Sequence, residues 1–274
     1  MESKSTDVEG IRMRWEEQGE GYPVVLLHGI PTCPSLWRHV VSRLQGARAL
    51  AWEMVGYGAS IPEGRGRNIS VGKQADYLAS WIRQMELVRP VLVGHDLGGG
   101  VAQILAVRHP GLVGGLVLTN AISYDSWPIP SVKLLRLLGG IVEKLPEPAS
   151  ALIMGTLLLR GHDNRRCAWE SFRRHYSHYA SHGGTAALVH QVRSLDVRDT
   201  LDVADRISHL GVPARLVWGA ADQFQQIGYG YRLAYELGAR IDRIERGKHF
   251  VPEDHADRVA DAIHAVLEQI KAEQ

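Results

Sequence analysis

Apolar and polar positions along the chain change period several times, and those changes divide it into elements. Residues Gly10 to Trp15 alternate, with Ile11, Met13 and Trp15 on one side, as an edge strand with one buried face would. Val24-Val25-Leu26-Leu27 is a continuous apolar run, the pattern of a strand covered on both faces, and it ends at His28-Gly29-Ile30-Pro31. Leu36 to Leu44 reads as a helix and Ala47 to Met54 as the next strand, followed by the loop Gly56-Tyr57-Gly58-Ala59-Ser60. Val71 to Met85 takes the helical period, with Ala75, Leu78, Ile82 and Met85 on one face. A strand at Val91–Val93 runs into a helix that His109-Pro110-Gly111 stops, and Leu116-Val117-Leu118 is another buried strand. From about Ser123 to Asp205 the alternation gives way to a helical stretch rich in arginine, histidine and aromatics. It then resumes with a strand at Ala214–Trp218, a helix at Tyr229–Leu237 and a strand at Arg240–Ile244. A last helix carries Val259, Ile263, Val266, Leu267 and Ile270 on one face.

Strand and helix alternating on both sides of a helical block predict an α/β chain with a parallel sheet. Residues 1–122 and 206–274 would form the core domain, and residues 123–205 an inserted helical lid. Ligands of such sheets bind beyond the carboxyl ends of the strands. The loops at His28, at Gly94–Gly98 and at Asp222 all fall there.

Composition adds mainly exclusions. The chain has 274 residues, 45% hydrophobic and 22% charged, the size and balance of one large soluble globular unit. A net charge of +1 supplies no field favouring nucleic acid or a membrane surface. Two cysteines, Cys33 and Cys167, make neither a metal spacing nor a disulfide framework, so no metal site and a reducing cytoplasm are expected. The amino terminus shows no apolar signal region, and the most apolar run, Ala149–Leu159, is too short to span a bilayer. Oligomeric state stays open between monomer and homodimer.

The chemistry concentrates at Gly94-His95-Asp96-Leu97-Gly98. An apolar strand ends in this turn and a helix begins at once, with glycine two residues before and after the polar residue. That is the nucleophile elbow G-x-S-x-G, with Asp96 in place of serine. Side chains at Gly94 and Gly98 would collide where strand and helix approach. A nucleophile needs a base, and the base an orienter. His249 follows the last predicted strand, and Asp222 follows the strand through Val217. Nucleophile, acid and histidine then occur in the order of an α/β-hydrolase triad. Asp96 is assigned as nucleophile, His249 as base and Asp222 as the carboxylate that orients His249.

Five stretches carry a resemblance: HGIPTCPSLW (His28 to Trp37), VGYGAS (Val55 to Ser60), VGHDLGGG (Val93 to Gly100), VWGAADQF (Val217 to Phe224) and GKHFVPED (Gly247 to Asp254). Together they make the chain similar to the α/β-hydrolase branch that holds epoxide hydrolases, haloalkane dehalogenases and fluoroacetate dehalogenases, over nearly the whole chain outside the lid. The resemblance implies a mostly parallel eight-stranded sheet flanked by helices, and a cofactor-free enzyme. It also implies an oxyanion hole from the backbone N–H groups of Ile30 and Leu97, set by His28, Gly29 and Pro31, with a cis bond before Pro31. A carboxylate nucleophile suits displacement at a saturated carbon: attack yields an alkyl ester of Asp96, which water activated by His249 then hydrolyses.

Two leaving groups fit that scheme. Haloalkane dehalogenases commonly place Trp after the nucleophile and Asn after His-Gly, where this chain has Leu97 and Ile30. Fluoroacetate dehalogenases place arginine beside the nucleophile, and Leu97 and Gly100 offer none. Those departures put epoxide opening to a vicinal diol first, with dehalogenation through atypical halide donors as the alternative. A non-catalytic ligand-binding hydrolase fold is the third reading. An epoxide needs an acid for the departing alkoxide, usually lid tyrosines. The candidates are Tyr124, Tyr176, Tyr179 and His190, with Trp127 as a pocket wall. Trp169, Phe172, Tyr176 and Tyr179 share one helix face that could instead simply pack the lid against the core. The lid arginines Arg160, Arg165, Arg166, Arg173 and Arg174 read as a solvated face, and Glu53 as structural.

Overall fold

The computed structural model describes residues 1–146 and 148–273. Eight strands form one sheet in the order β1-β2-β4-β3-β5-β6-β7-β8. They are β1 (Glu2–Val8), β2 (Ile11–Gln18), β3 (Tyr22–Leu27), β4 (Ala47–Trp52), β5 (Val91–His95), β6 (Gly115–Thr119), β7 (Ala214–Gly219) and β8 (Arg240–Ile244). β1, β2 and β4 pair antiparallel, and from β4 through β3 to β8 every pairing is parallel.

The continuous apolar strands lie where both sheet faces are covered. Val25 and Leu27 of β3 point into one core with Leu50, Leu92 and Leu116. Val24 and Leu26 point into the opposite core with Val91, Val93, Val117 and Val217. Helices cover both faces. Val71–Gln84 starts at Ser70, whose side chain caps Lys73 N–H, and buries Ala75, Leu78 and Ile82. Ala256–Ala272 buries Val259, Ile263, Val266 and Leu267 on the other side.

Two expectations are corrected. The edge strand is β1, not the Gly10–Trp15 stretch, which lies in β2 and second in the sheet. The sequence of β1, ESKSTDV, buries only Val8, so it carries no apolar period to read. Leu36–Leu44 is not one helix: a short 3-10 turn, Pro34–Trp37, leads into one α-turn, Arg38–Val41.

Between β6 and β7 the chain is helical, chiefly Pro130–Leu137, Pro148–Gly161, Arg165–His182 and Gly184–Arg193. No helix among the described residues is long and apolar enough to cross a membrane. Side chains from this segment and from the carboxyl ends of the parallel strands line one shared cavity.

Candidate active site

β5 delivers Asp96 at a backbone of φ 50° and ψ −120°, a conformation rare for a residue with a side chain. The turn is held because strand and helix touch: a Cβ on Gly94 would lie 2.5 Å from Gly98 O, and one on Gly98 would lie 2.2 Å from Leu27 O. Asp96 therefore projects over the end of the sheet, just ahead of the Leu97–Arg108 helix.

Its carboxylate is met by the donors the resemblance implied. Ile30 N–H donates to Asp96 Oδ2 at 3.0 Å, and Leu97 N–H donates to the same carboxylate. The Ile30–Pro31 bond is cis. Gly29 leaves Asp96 its space, since a Cβ there would sit 2.4 Å from Asp96 Oδ2. Gly29→Ala should thus displace the carboxylate from the Ile30 amide. Misplacement on that scale costs roughly 10²-fold in turnover, and overpacking costs about 1–3 kcal/mol. Steady-state kinetics beside a thermal melt would show both. His28 sets this turn from beneath: its Nδ1–H donates to Gly29 O, and its Nε2 accepts Met54 N–H at 3.1 Å. Burial drives His28 down to about 3, so it stays neutral in that bridging role.

His249 Nδ1 donates to Asp222 Oδ2 at 2.8 Å, and its Nε2 faces Asp96 Oδ1 at 3.9 Å. That gap exceeds a hydrogen bond, so His249 and Asp96 are not tied to each other. Burial opposes charge on His249, but the Asp222 carboxylate, with Asp96 behind it, outweighs burial and raises its pKa. Burial also raises Asp96, against the pull of His249 and the two amides.

Sequence reasoning missed the support around Asp222. Asn120 at the end of β6 donates through Nδ2 to Asp222 Oδ2 at 2.6 Å, while its Oδ1 accepts Gly219 N–H. Phe224 N–H supplies the other oxygen at 2.7 Å. A polar residue directly after a buried strand was the available signal. His95 lies 4.6 Å from the His249 ring, neutral through burial, with Nδ1–H donating to Thr119 O.

The cavity above Asp96 measures about 70 Å³ and is walled by Leu97, Ile122, Leu188, Val192, Phe224 and Phe250, among others. Trp127 is on that wall, as expected, but its indole N–H is committed to Thr200 Oγ1 at 2.7 Å. The candidate ring-opening acids are not on it. Tyr124 donates to Glu236 Oε2 beneath Arg232. Tyr179 is buried and donates to Gln191 Oε1, and Gln191 ties on to Gly56 O. Tyr176 packs with Phe172 and lies 3.5 Å from Ser150 Oγ. His190 binds Gly64 O and faces a different hollow. The aromatic stripe is thus packing at Tyr179, Tyr176 and Phe172, while Trp169 lies mostly exposed. Tertiary position, which helical spacing does not determine, leaves these four side chains off the wall of this cavity. One polar wall residue went unread in the sequence: Gln225, only 3% exposed, whose Oε1 has no hydrogen-bond partner among the described residues. Among the described residues no group of three His, Cys, Asp or Glu is placed to hold a metal ion.

Known proteins resemble both the sequence and the fold. A haloalkane dehalogenase of Mycolicibacterium paratuberculosis is 33% identical over 118 residues, 42% of this chain and 39% of that protein. The chain thus spans about two fifths of the length of the curated relatives it matches first. Haloalkane dehalogenase 2 of Mycobacterium tuberculosis is 27% identical over 277 residues, covering 96% of this chain and 93% of that one. An α/β-hydrolase fold protein from Burkholderia ambifaria superposes with a TM-score of 0.87 at 23% identity, over 95% of this chain and 96% of that one. Residues 22–256 match the α/β-hydrolase fold family as a whole. With its elbow, sheet order and matched span in agreement, the chain belongs to the α/β-hydrolase fold family.

Proposed function

We propose that Asp96 displaces a halide from a saturated carbon of a small apolar haloalkane, and that water activated by His249 hydrolyses the resulting ester. One observation carries this choice of leaving group: the cavity holding Asp96 and His249 is otherwise almost wholly apolar, with no tyrosine on its wall. An alkoxide needs a proton as it departs, whereas a halide leaves as a stable anion without one. The epoxide reading favoured by the sequence is less well supported, since Tyr124, Tyr176, Tyr179 and His190 bond elsewhere and do not line this cavity. The dehalogenase names of the relatives support the same choice.

A departing halide still needs N–H donors in so dry a cavity. Trp127 has spent its own on Thr200, and Leu97 and Ile30 have no polar side chain. Gln225 remains. No network fixes which end of its carboxamide faces the cavity, and the NH2 end supplies the donor the halide requires.

His249 is timed by the same charges. Asp96 is among the groups that raise its pKa. Once Asp96 is esterified that negative charge is gone, and His249 releases its proton more readily, at the step that needs a base. Water then attacks the Asp96 ester carbonyl, and the oxyanion develops against Ile30 and Leu97 N–H, each donor worth about 3–4 kcal/mol. A 70 Å³ cavity is smaller than the ~150 Å³ site that holds benzene, so short-chain substrates fit best. We place the helical segment 123–205 as the lid that keeps bulk water out.

The test sets short 1-bromo- and 1-chloroalkanes beside small epoxides, with halide measured by ion chromatography and diols by gas chromatography. Halide release matched by alcohol, and abolished in Asp96→Asn, is the expected result. Diol formation without halide release restores the epoxide reading, and neither product points to a ligand-binding protein. Gln225→Leu should lower kcat/KM at least tenfold, more for chlorides than for bromides, since the poorer leaving group leans harder on its donor.

A further inference from the structure

A second cavity, of about 340 Å³ and sharing no wall residue with the first, opens beside β1, β2 and the turn after Pro31. Cys33 forms part of its wall. Its Sγ lies 3.2 Å from His175 Nδ1 and 3.2 Å from Ser35 Oγ. The far nitrogen of His175 faces Glu253 Oε1 at 3.7 Å, and Glu253 is ion-paired to Arg38. His178, one helical turn beyond His175, also lines the cavity and favours the Cys33 thiolate. Sulfur, imidazole and carboxylate in series are the parts of a base-activated nucleophile. Two imidazoles also give the electropositive surroundings that favour a thiolate.

The cavity holds a second, separate sign of use. Glu53 lines it and is 5% exposed; Ser60 and the Ala59 N–H meet its carboxyl, and its Oε1 has no hydrogen-bond partner among the described residues. Leaving a buried polar atom unmade costs about 1–3 kcal/mol, so the position invites a ligand with a complementary group. Burial first, with Cys33 adding to it, raises Glu53 to about 7, which lets it keep a proton near neutrality.

We propose that Cys33 is a modification site, a nucleophilic thiolate that small hydroperoxides entering this cavity oxidise to sulfenic acid. The sulfur attacks the hydroxyl oxygen of the hydroperoxide and the S–O bond forms as the O–O bond breaks. The departing oxygen takes the Glu53 proton. Cys33 is thereby oxidised by two electrons to S–OH, and the hydroperoxide is reduced to water or an alcohol. This site is independent of the displacement chemistry at Asp96, although Cys33 shares its turn with the Ile30 amide.

Cys167, also free and more exposed, is the internal control. Burial and neighbouring carboxylates hold its thiol up. The full chain is treated with hydrogen peroxide and dimedone and read by intact mass and peptide mapping. The expected result is one adduct on the Cys33 peptide, formed at least tenfold faster than any on Cys167, and lost in Cys33→Ser. Glu53→Gln should slow the peroxide reaction at least tenfold yet leave iodoacetamide alkylation of Cys33 unchanged, since that leaving group needs no proton. His175→Gln should slow both. Labelling of Cys167 first, no sulfenic acid on either thiol, or a peroxide rate indifferent to Glu53→Gln and to a folded His175→Gln would overturn the proposal. If His175→Gln does not fold, the wild-type comparison of the two thiols decides.

Discussion

Replacing His249 with Gln should stop the protein at a covalent intermediate rather than merely slow it. Alkylation needs Asp96, the cavity with its Gln225 donor and a departing anion, and none of these involves a proton on His249. Hydrolysis of the ester needs water activated at Nε2, and glutamine cannot take that proton. Intact-mass spectrometry of His249→Gln after incubation with a bromoalkane should show the chain heavier by one alkyl group, mapped to the peptide containing Asp96. Steady turnover should fall by roughly 10⁴-fold or more, the scale on which triads lose activity when a member is removed. Halide release should survive as a single burst of about one equivalent. A chain that gives neither adduct nor burst with any haloalkane or epoxide in the panel would refute the covalent route at Asp96. Labelling at another carboxylate would move the nucleophile.

Much of this site is written locally in the chain. The elbow is readable because Gly94 and Gly98 are demanded by contacts of a few ångströms within one turn. Asp222 and His249 are readable because each lies a few residues past a predicted strand, and the hydrogen bond between them needs only those strand ends side by side. Where a hydroxyl ends up is another matter. Tyr124, Tyr179 and His190 fit the expected chemistry by type, but each finds a partner more than ten residues away: Glu236, Gln191 and Gly64. No periodicity encodes those pairings. Gln225 escaped notice for the opposite reason, having no motif, and its meaning comes only from the apolar wall around it. The edge strand β1 was silent because one row of its side chains meets water and the other is barely covered.

Glu253 shows how far the support extends beyond the reacting groups, and its loss carries the largest expected effect on stability. It is 8% exposed and faces three basic side chains. Arg38 pairs with it, His162 Nε2 lies 3.2 Å from Oε2, and His175 Nε2 lies 3.7 Å from Oε1. Burial alone would raise this carboxyl; His162, His175 and Arg38 outweigh burial and hold it well below the usual carboxylate range. Removing one member of such a buried set strands the others, at a cost of about 3–5 kcal/mol. For a chain of this length that lowers Tm by roughly 6–20 °C at about 2–4 °C per kcal/mol. Glu253→Ala should therefore melt well below the parent at pH 7. The pH dependence gives a second signature. Because the folded carboxyl is depressed, its contribution is present above the ordinary value near 4.5 and is lost as pH falls below it toward the folded value. His175 has the opposite sign: Cys33 and Glu253 outweigh burial and raise it to about 9, so its contribution is full below 6.5 and lost as pH rises through 9. Parent stability should thus decline on both sides of neutrality. In Glu253→Gln, which keeps the shape but not the charge, both declines should be shallower, because the variant starts without that attraction. Thermal melts from pH 3 to pH 10 read this directly. A Glu253→Ala chain within 2 °C of the parent at pH 7, or a Glu253→Gln curve parallel to the parent's, would show that the cluster is held by packing rather than by charge.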